Sequence, residues 1–193
     1  MLKFYSTNED RGYVFAVAGA SDPQHVLLQL VRWWVPSWPP LVAVAGPLMR
    51  EEDVAELQRE ARGRPFVEVL NAPEDFSERM AAAGRVLCTS SGTSLEALAL
   101  RKPLVVFQVA ANQQRIGEEI SRRRWGTNLG FWGAWGPEDL ARVWACAPAR
   151  PPAVVNPRGA QHAAGALRAL LEFPVREGRP HFGGFVDADS KEC

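Results

Sequence analysis

The chain has 193 residues, enough for one ordinary domain with or without a tail, and 47% of them are apolar, enough for a core. Its 22 basic residues balance 22 acidic ones, which excludes the broad positive footprint of a nucleic-acid binder. The three scattered cysteines, Cys88, Cys146 and Cys193, make neither a disulfide framework nor a metal site, and no stretch reads as a signal peptide or reaches the roughly 20 apolar residues of a membrane helix, so a cytoplasmic protein without metal or cofactor is expected.

Short apolar runs alternate with helical patterns along the chain. Tyr13 to Ala18 (YVFAVA) predicts a strand, and Val26, Leu27, Leu30, Val31 and Trp34 then recur at helical spacing. Pro36, Pro39 and Pro40 stop that helix. Leu41 to Ala45 is the next strand, followed by a helix face of Val54, Leu57 and Ala61. Phe66 to Leu70 predicts a strand, Pro73 to Ala83 a helix, Val86 to Thr89 a strand, Thr93 to Leu100 a helix and Leu104 to Phe107 a strand. Asn112 to Arg124 reads as a helix with a basic end suited to its C-terminal dipole. A short strand is expected near Leu129, then a helix from Pro137 to Ala147 with proline at its start. After the turn Asn156-Pro157-Arg158-Gly159, Ala160, Ala163, Ala164, Leu167, Leu170 and Leu171 mark a last helix face, and from Glu172 the chain is rich in glycine and charge. The strands are short and apolar throughout, as in a parallel sheet covered on both faces. The pattern predicts a doubly wound, Rossmann-like α/β fold with ligands at the carboxyl ends of the strands.

Three loops at those ends carry polar groups. In Cys88-Thr89-Ser90-Ser91-Gly92-Thr93-Ser94-Leu95-Glu96 a buried strand runs through small hydroxyl residues and a glycine into a helix. Free N–H groups and partial positive charge at that helix start suit a phosphate, and Glu96 is placed to accept hydrogen bonds from ribose hydroxyls. Plain N-capping by Ser or Thr explains the same residues. Ala110-Ala111-Asn112-Gln113-Gln114 offers amides to a sugar, with capping by Asn112 as the alternative. Gly19-Ala20-Ser21-Asp22-Pro23 is either a ligand loop or a turn capped by Ser21 or Asp22, with His25 just beyond it. His162 and His181 stand outside these three loops. Seven tryptophans include the doublet Trp33-Trp34 with Trp38, and Trp132 with Trp135 in a Gly-rich stretch. A doublet turns one member inward on a narrow helix face, so an outward partner would mark an interface.

Taken in order, these loops resemble one family. GASDP resembles the GGSDP loop of the UDP-sugar hydrolase of pseudaminic acid biosynthesis and its spore-coat polysaccharide relatives. SSGTSLEALALRKPLVV resembles that family's GGSTTWE-type stretch with its following Gly-Leu-Pro strand, AANQQRIGEEI its DNQ loop and helix, and Asn156 to Ala160 its Asp-Gly-x-Gly-Ala turn. Order and spacing agree from Tyr13 to Leu171. The chain is more distantly similar to the C-terminal domain of the UDP-GlcNAc transferase of peptidoglycan synthesis. The resemblance implies a GT-B architecture, in which two Rossmann-like domains flank a cleft and the C-terminal one holds the UDP. It implies that Ser91, Gly92, Thr93 and Ser94 hold the diphosphate, with Gly19 and Ser21 in the same nucleotide site. It further implies that Glu96 binds the ribose, that Asn112 and Gln113 contact sugar or phosphate, and that Asn71-Ala72-Pro73 with Met80 lie near the base. Departures are Ala20 and Ser91, each where the family has glycine, and Arg101-Lys102 in place of a small turn.

The residues before the first strand, about a dozen, are too few for the family's N-terminal domain, which carries the histidine regarded as general base. The expectation is a nucleotide-sugar-binding domain over 1–171 with a peripheral tail over 172–193, with catalytic residues unassigned. It would bind a UDP-sugar as the donor half of a glycosyltransferase or UDP-sugar hydrolase, completed by a second subunit or a homodimer. The alternative is a non-catalytic nucleotide-sugar-binding or interaction module.

Overall fold

The computed structural model of the chain describes residues 12–147, 149–156 and 158–172. The expected tail beyond Glu172, with His181 and Cys193, lies outside the described residues. The chain separates into two compact units, one ending at Asn156 and one beginning at Pro157, a boundary that the expected domain 1–171 spans.

The first unit is built on one sheet. Strands β1 (Val14–Val17), β2 (Leu41–Ala45), β3 (Val67–Asn71), β4 (Arg85–Thr89), β5 (Leu104–Gln108) and β6 (Thr127–Phe131) pair in the order β3-β2-β1-β4-β5-β6. Every pairing is parallel. Val14 is in register with Leu41 on one side and Arg85 on the other, so β1 is central and the chain reverses its direction of growth there. The doubly wound Rossmann-like fold read from the alternation of elements is the observed one. The strand near Leu129 is longer than expected, a full five residues, and it closes the sheet edge against β5 with an irregular register between Val106 and Gln108.

Six helices cover the sheet: α1 (Val26–Trp33), α2 (Glu51–Ala61), α3 (Phe76–Ala82), α4 (Gly92–Ala99), α5 (Gln114–Arg122) and α6 (Pro137–Ala145). Side chains alternate between the two faces with the strand period of two. Val14, Ala16, Leu41, Ala43, Leu87 and Phe107 join α1, α2 and α6 in one buried cluster. Phe15, Val17, Val42, Val44, Val86 and Val106 join α3, α4 and α5 in the other. That double burial is why these strands lack polar alternation. Two helices begin differently from expectation: α3 starts at Phe76 rather than Pro73, and a single turn of 3₁₀ helix (Ala111–Gln113) precedes α5. Arg101, which stands in the small turn of the resembling family, takes a left-handed conformation (φ 54°) at the end of α4.

Six of the seven tryptophans form a belt on the face carrying α1 and α6, and Trp125 packs on the opposite face. Trp34 is fully buried, donates from Nε1 to the Pro39 carbonyl (2.7 Å), and meets Trp38 at 5.2 Å and Trp144 at 5.5 Å between ring centroids. Its neighbour Trp33 is half-buried against Trp132 (5.4 Å) and Trp135 (6.0 Å). Both members of the doublet are therefore taken up, because the stretch after β6 lays a second aromatic layer over the outward one.

In the second unit, α7 (Gly159–Glu172) carries Ala160, Ala163, Ala164 and Leu167 at helical spacing. Among the described residues no helix is long and apolar enough to cross a membrane.

Trp34→Ala is expected to destabilise the protein by about 3–5 kcal/mol, because it empties the centre of the aromatic belt and strands its hydrogen-bond acceptor. Urea denaturation followed by far-UV circular dichroism measures it, and a loss below about 1 kcal/mol contradicts a central role for this ring.

Candidate functional site

At the carboxyl edge of the sheet a cleft of about 360 Å³ opens where the strand order reverses, between the β1 and β4 ends. Crevices at such reversals are the ordinary ligand sites of open α/β sheets. Val17, Gly19 and Ala20 form one wall, Gly46 and Pro47 after β2 form another, and Ala72 and Phe76 close the far end. Ser91, Gly92, Thr93 and Glu96 supply the polar side. Gly46 is not among the expected site residues, yet a Cβ there would lie 2.4 Å from the carbonyl oxygens of both Gly19 and Ala20. The two loops touch only because that position has no side chain; its signal was a glycine directly after a buried strand.

The two loops differ in how they treat their helices. Before α1, Asp22 is buried and its two carboxylate oxygens accept from the Val26 and Leu27 N–H groups, both at 2.9 Å. Capping thus accounts for this loop, through Asp22; Ser21 is exposed and is not among the residues lining the cleft. Burial pushes the Asp22 carboxyl up to about 6, against the pull of its two amide donors.

Before α4 no side chain caps the helix. The Ser91 hydroxyl turns back to Thr89, 3.0 Å from Thr89 Oγ1, and the Ser91 N–H donates to the Thr89 carbonyl at 2.8 Å. Ser94, buried, donates its hydroxyl to the Ser91 carbonyl at 2.6 Å, so it faces its own loop. The Ser91 and Ser94 hydroxyls are thus spent on the Thr89 and Ser91 carbonyls. Gly92 and Thr93 stand at the helix start in the cleft wall, and the space a Gly92 Cβ would occupy is open. The first N–H groups of a helix have no partner within it, and they carry partial positive charge. One turn on, Glu96 lines the same cleft, and burial raises its carboxyl above the ordinary range.

Other expected residues lie apart. Gln113 turns its side-chain oxygen to the Val109 N–H (2.8 Å), and Gln24 donates to the Val109 carbonyl (3.0 Å). Asn112 is exposed, and neither it nor Gln113 is among the residues lining the cleft. Ala72 reaches the cleft with φ 39°, whereas Met80 is buried in the core and Phe76 takes the position facing the cavity. His25 precedes α1 in a left-handed conformation (φ 51°), its Nδ1 3.7 Å from an Asp53 oxygen that Arg50 also holds. Among the described residues no group of three or more His, Cys, Asp or Glu could hold a metal ion.

No protein-family model and no curated protein sequence matches the chain. Solved structures do. Acinetobacter baumannii MurG superposes with a TM-score of 0.65 at 14% identity, over 82% of this chain and 50% of that one. Arabidopsis thaliana UGT89C1 complexed with UDP-L-rhamnose gives 0.54 at 16% identity, over 72% and 35%. E. coli heptosyltransferase WaaC with ADP gives 0.52 at 17% identity, over 71% and 44%. At these identities the likeness shows the fold. The chain spans half or less of the length of each of these structures.

Asp22 generates a pH dependence. Its carboxyl sits higher in the folded protein than the ordinary value near 4, so the folded state holds the proton more tightly than the unfolded one. Its contribution to stability is full below about pH 4 and is lost as pH rises through about 6, by up to about 3 kcal/mol. Asp22→Asn is expected to flatten the stability profile between those limits, and an equal change of unfolding free energy with pH in the two proteins, from urea titrations at several pH values, contradicts this assignment.

Proposed function

We propose that this chain binds a nucleotide-sugar, a UDP-sugar, as the donor-binding half of a glycosyltransferase or UDP-sugar hydrolase of surface-glycan biosynthesis. The observation that carries the reading is the uncapped start of α4 beside Glu96 in the cleft at the strand reversal. Such a helix start attracts a diphosphate through free N–H groups and dipole, and Gly92 leaves the close approach open. Glu96, one turn along, is placed to accept hydrogen bonds from a ribose. The apolar walls of Val17, Val44, Pro47 and Phe76 suit the flat faces of base and sugar. The resemblance of the loop sequences to UDP-sugar enzymes supports a uridine nucleotide; the structures that share the fold hold UDP-L-rhamnose in one case and ADP in another. In a GT-B arrangement this is the C-terminal half.

One observation favours the second reading, a binding module without catalysis of its own. Among the described residues lining the cleft, Glu96 is the single titratable side chain. Acid–base catalysis needs a proton donor and acceptor within hydrogen-bond reach of the reacting atoms. In the half-enzyme reading a second subunit, or another copy of the chain, supplies them together with the opposite wall that excludes water.

Calorimetric titration with UDP, UDP-GlcNAc, ADP and GDP tests the reading, with UDP and its sugar expected to bind most tightly. Glu96→Ala is expected to weaken UDP by about 1–3 kcal/mol through loss of a charged acceptor. Gly92→Leu, whose side chain would fill the space held open for the diphosphate, is expected to abolish binding while leaving stability within about 1 kcal/mol. Unchanged UDP affinity in both variants removes the cleft as the nucleotide site.

The chain alone is further expected to show little or no UDP-sugar hydrolysis or transfer. An assay of product formation, with solution mass measured in parallel, checks this. Efficient turnover by a monomer overturns the half-enzyme reading.

A further inference from the structure

Behind the β4–α4 loop lies a buried polar cluster. Gln108, the last residue of β5, is buried, and both protons of its Nε2 are committed: one to Ser90 Oγ at 2.8 Å, the other to Asn128 Oδ1 at 2.8 Å. Ser90, also fully buried, donates its hydroxyl to the Phe107 carbonyl at 3.2 Å. Asn128 on β6 uses the same Oδ1 to accept from the Gly130 N–H at 3.0 Å. From above, α5 presents Gly117, where a Cβ would fall 2.1 Å from Gln108 Nε2 and 2.8 Å from Ser90 Oγ. One amide thus ties the carboxyl ends of β4 and β5 to the first half of β6, and Gly117 sets how closely α5 approaches them.

Apolar side chains of the same size would fill this volume without the cost of desolvating amides and a hydroxyl. What a fully satisfied polar network adds is a single geometry, because each bond has a direction that dispersion contacts lack. The segment held here is the one that matters for the cleft. Ser90 is followed directly by Ser91, Gly92 and Thr93, and no side chain caps the helix they begin. The loop's own bonds, Ser91 to Thr89 and Ser94 to Ser91, are internal to it and move with it. The side-chain tie from outside the loop is Gln108 to Ser90.

We propose that Gln108 is a positioning residue for the start of α4: through Ser90, braced by Asn128, it holds the Gly92 and Thr93 N–H groups at the place where a diphosphate is bound. This rests on the nucleotide reading above for its ligand, while the tether itself is a property of the free protein. Gln108 does not touch the ligand; it acts through Ser90. Binding that depends on the β-phosphate is therefore more sensitive to Gln108 than binding through base and ribose, whose walls belong to other elements.

Gln108→Met keeps the volume and removes both hydrogen bonds; Ser90→Ala removes the acceptor and keeps the amide. Two measurements on each variant and on the double variant decide the matter. In the ligand-free protein, ¹⁵N relaxation order parameters at Ser91, Gly92 and Thr93 are expected to fall from about 0.85 toward 0.6, with those of β1 and β2 unchanged. In titrations, the ratio of UMP to UDP dissociation constants is expected to drop about tenfold in either single variant, with no further drop in the double. Unchanged order parameters overturn the proposal, as does an equal loss of UMP and UDP affinity, which is the mark of a merely structural role. If wild-type protein binds neither nucleotide while the variants still loosen the loop, the nucleotide reading fails and the tether stands.

Discussion

All six strands run parallel, and this constraint organises the rest of the molecule. Parallel neighbours cannot be joined by a hairpin, so each connection must cross a face of the sheet, here by a helix. Both faces are then covered, which demands strands apolar on both sides, and β1, β2 and β5 are buried at every position. It also gathers every strand's carboxyl end, and every following loop, on one edge. Where the order reverses between β1 and β4, the two flanking connections leave toward opposite faces and cannot fill the space between them. The cleft follows from topology before any side chain is considered.

Within that cleft the difference between the two flanking helices carries the chemical meaning. Asp22 covers the start of α1 with a carboxylate, so this end is already neutralised and offers nothing to an anion. The start of α4 is left open, since the Ser91 and Ser94 hydroxyls donate to the Thr89 and Ser91 carbonyls. The contrast matters because both loops contain serine and a glycine and look alike in composition. Glu96 adds a partly buried acceptor close to the uncovered helix start, an arrangement suited to a ligand with hydroxyls next to a negative group.

The fold was largely legible in the sequence because its signals are local. Apolar runs of strand length alternate with helical spacing, and prolines at 36, 39, 40 and 137 mark element ends. The later start of α3 and the short turn before α5 escaped, as element ends usually do, because the residues there satisfy either conformation. The site was legible in part. Gly92, Thr93 and Glu96 stand together in the cleft, with Gly19 and Ser91 beside them. Ser21, Asn112 and Gln113 lie outside its lining: Ser21 and Asn112 are exposed, and Gln113 accepts from the Val109 N–H, a neighbour that only the fold brings near. Gln108 and Asn128 carry no local signal, because Gln108 meets Ser90 and Asn128 only across long stretches of chain, and Gly46 shows only as a glycine directly after a buried strand.

The amino-acid sequence by itself determined the kind of layers this protein has. Burial of an apolar residue is a property of its type, and the period with which such residues recur selects strand or helix. It determined too that a small, hydroxyl-rich loop would lead into a helix after the fourth strand. Only the tertiary structure decided which helix start remained uncovered. A hydroxyl can cap its own helix or turn away, and both choices satisfy the same bonds locally. Behind the loop, Gln108 from one other strand meets Ser90 and, from a second, Asn128, with Gly117 giving them room. Hydrogen bonds are directional and short, so their partners are settled by three-dimensional neighbourhood rather than by position along the chain.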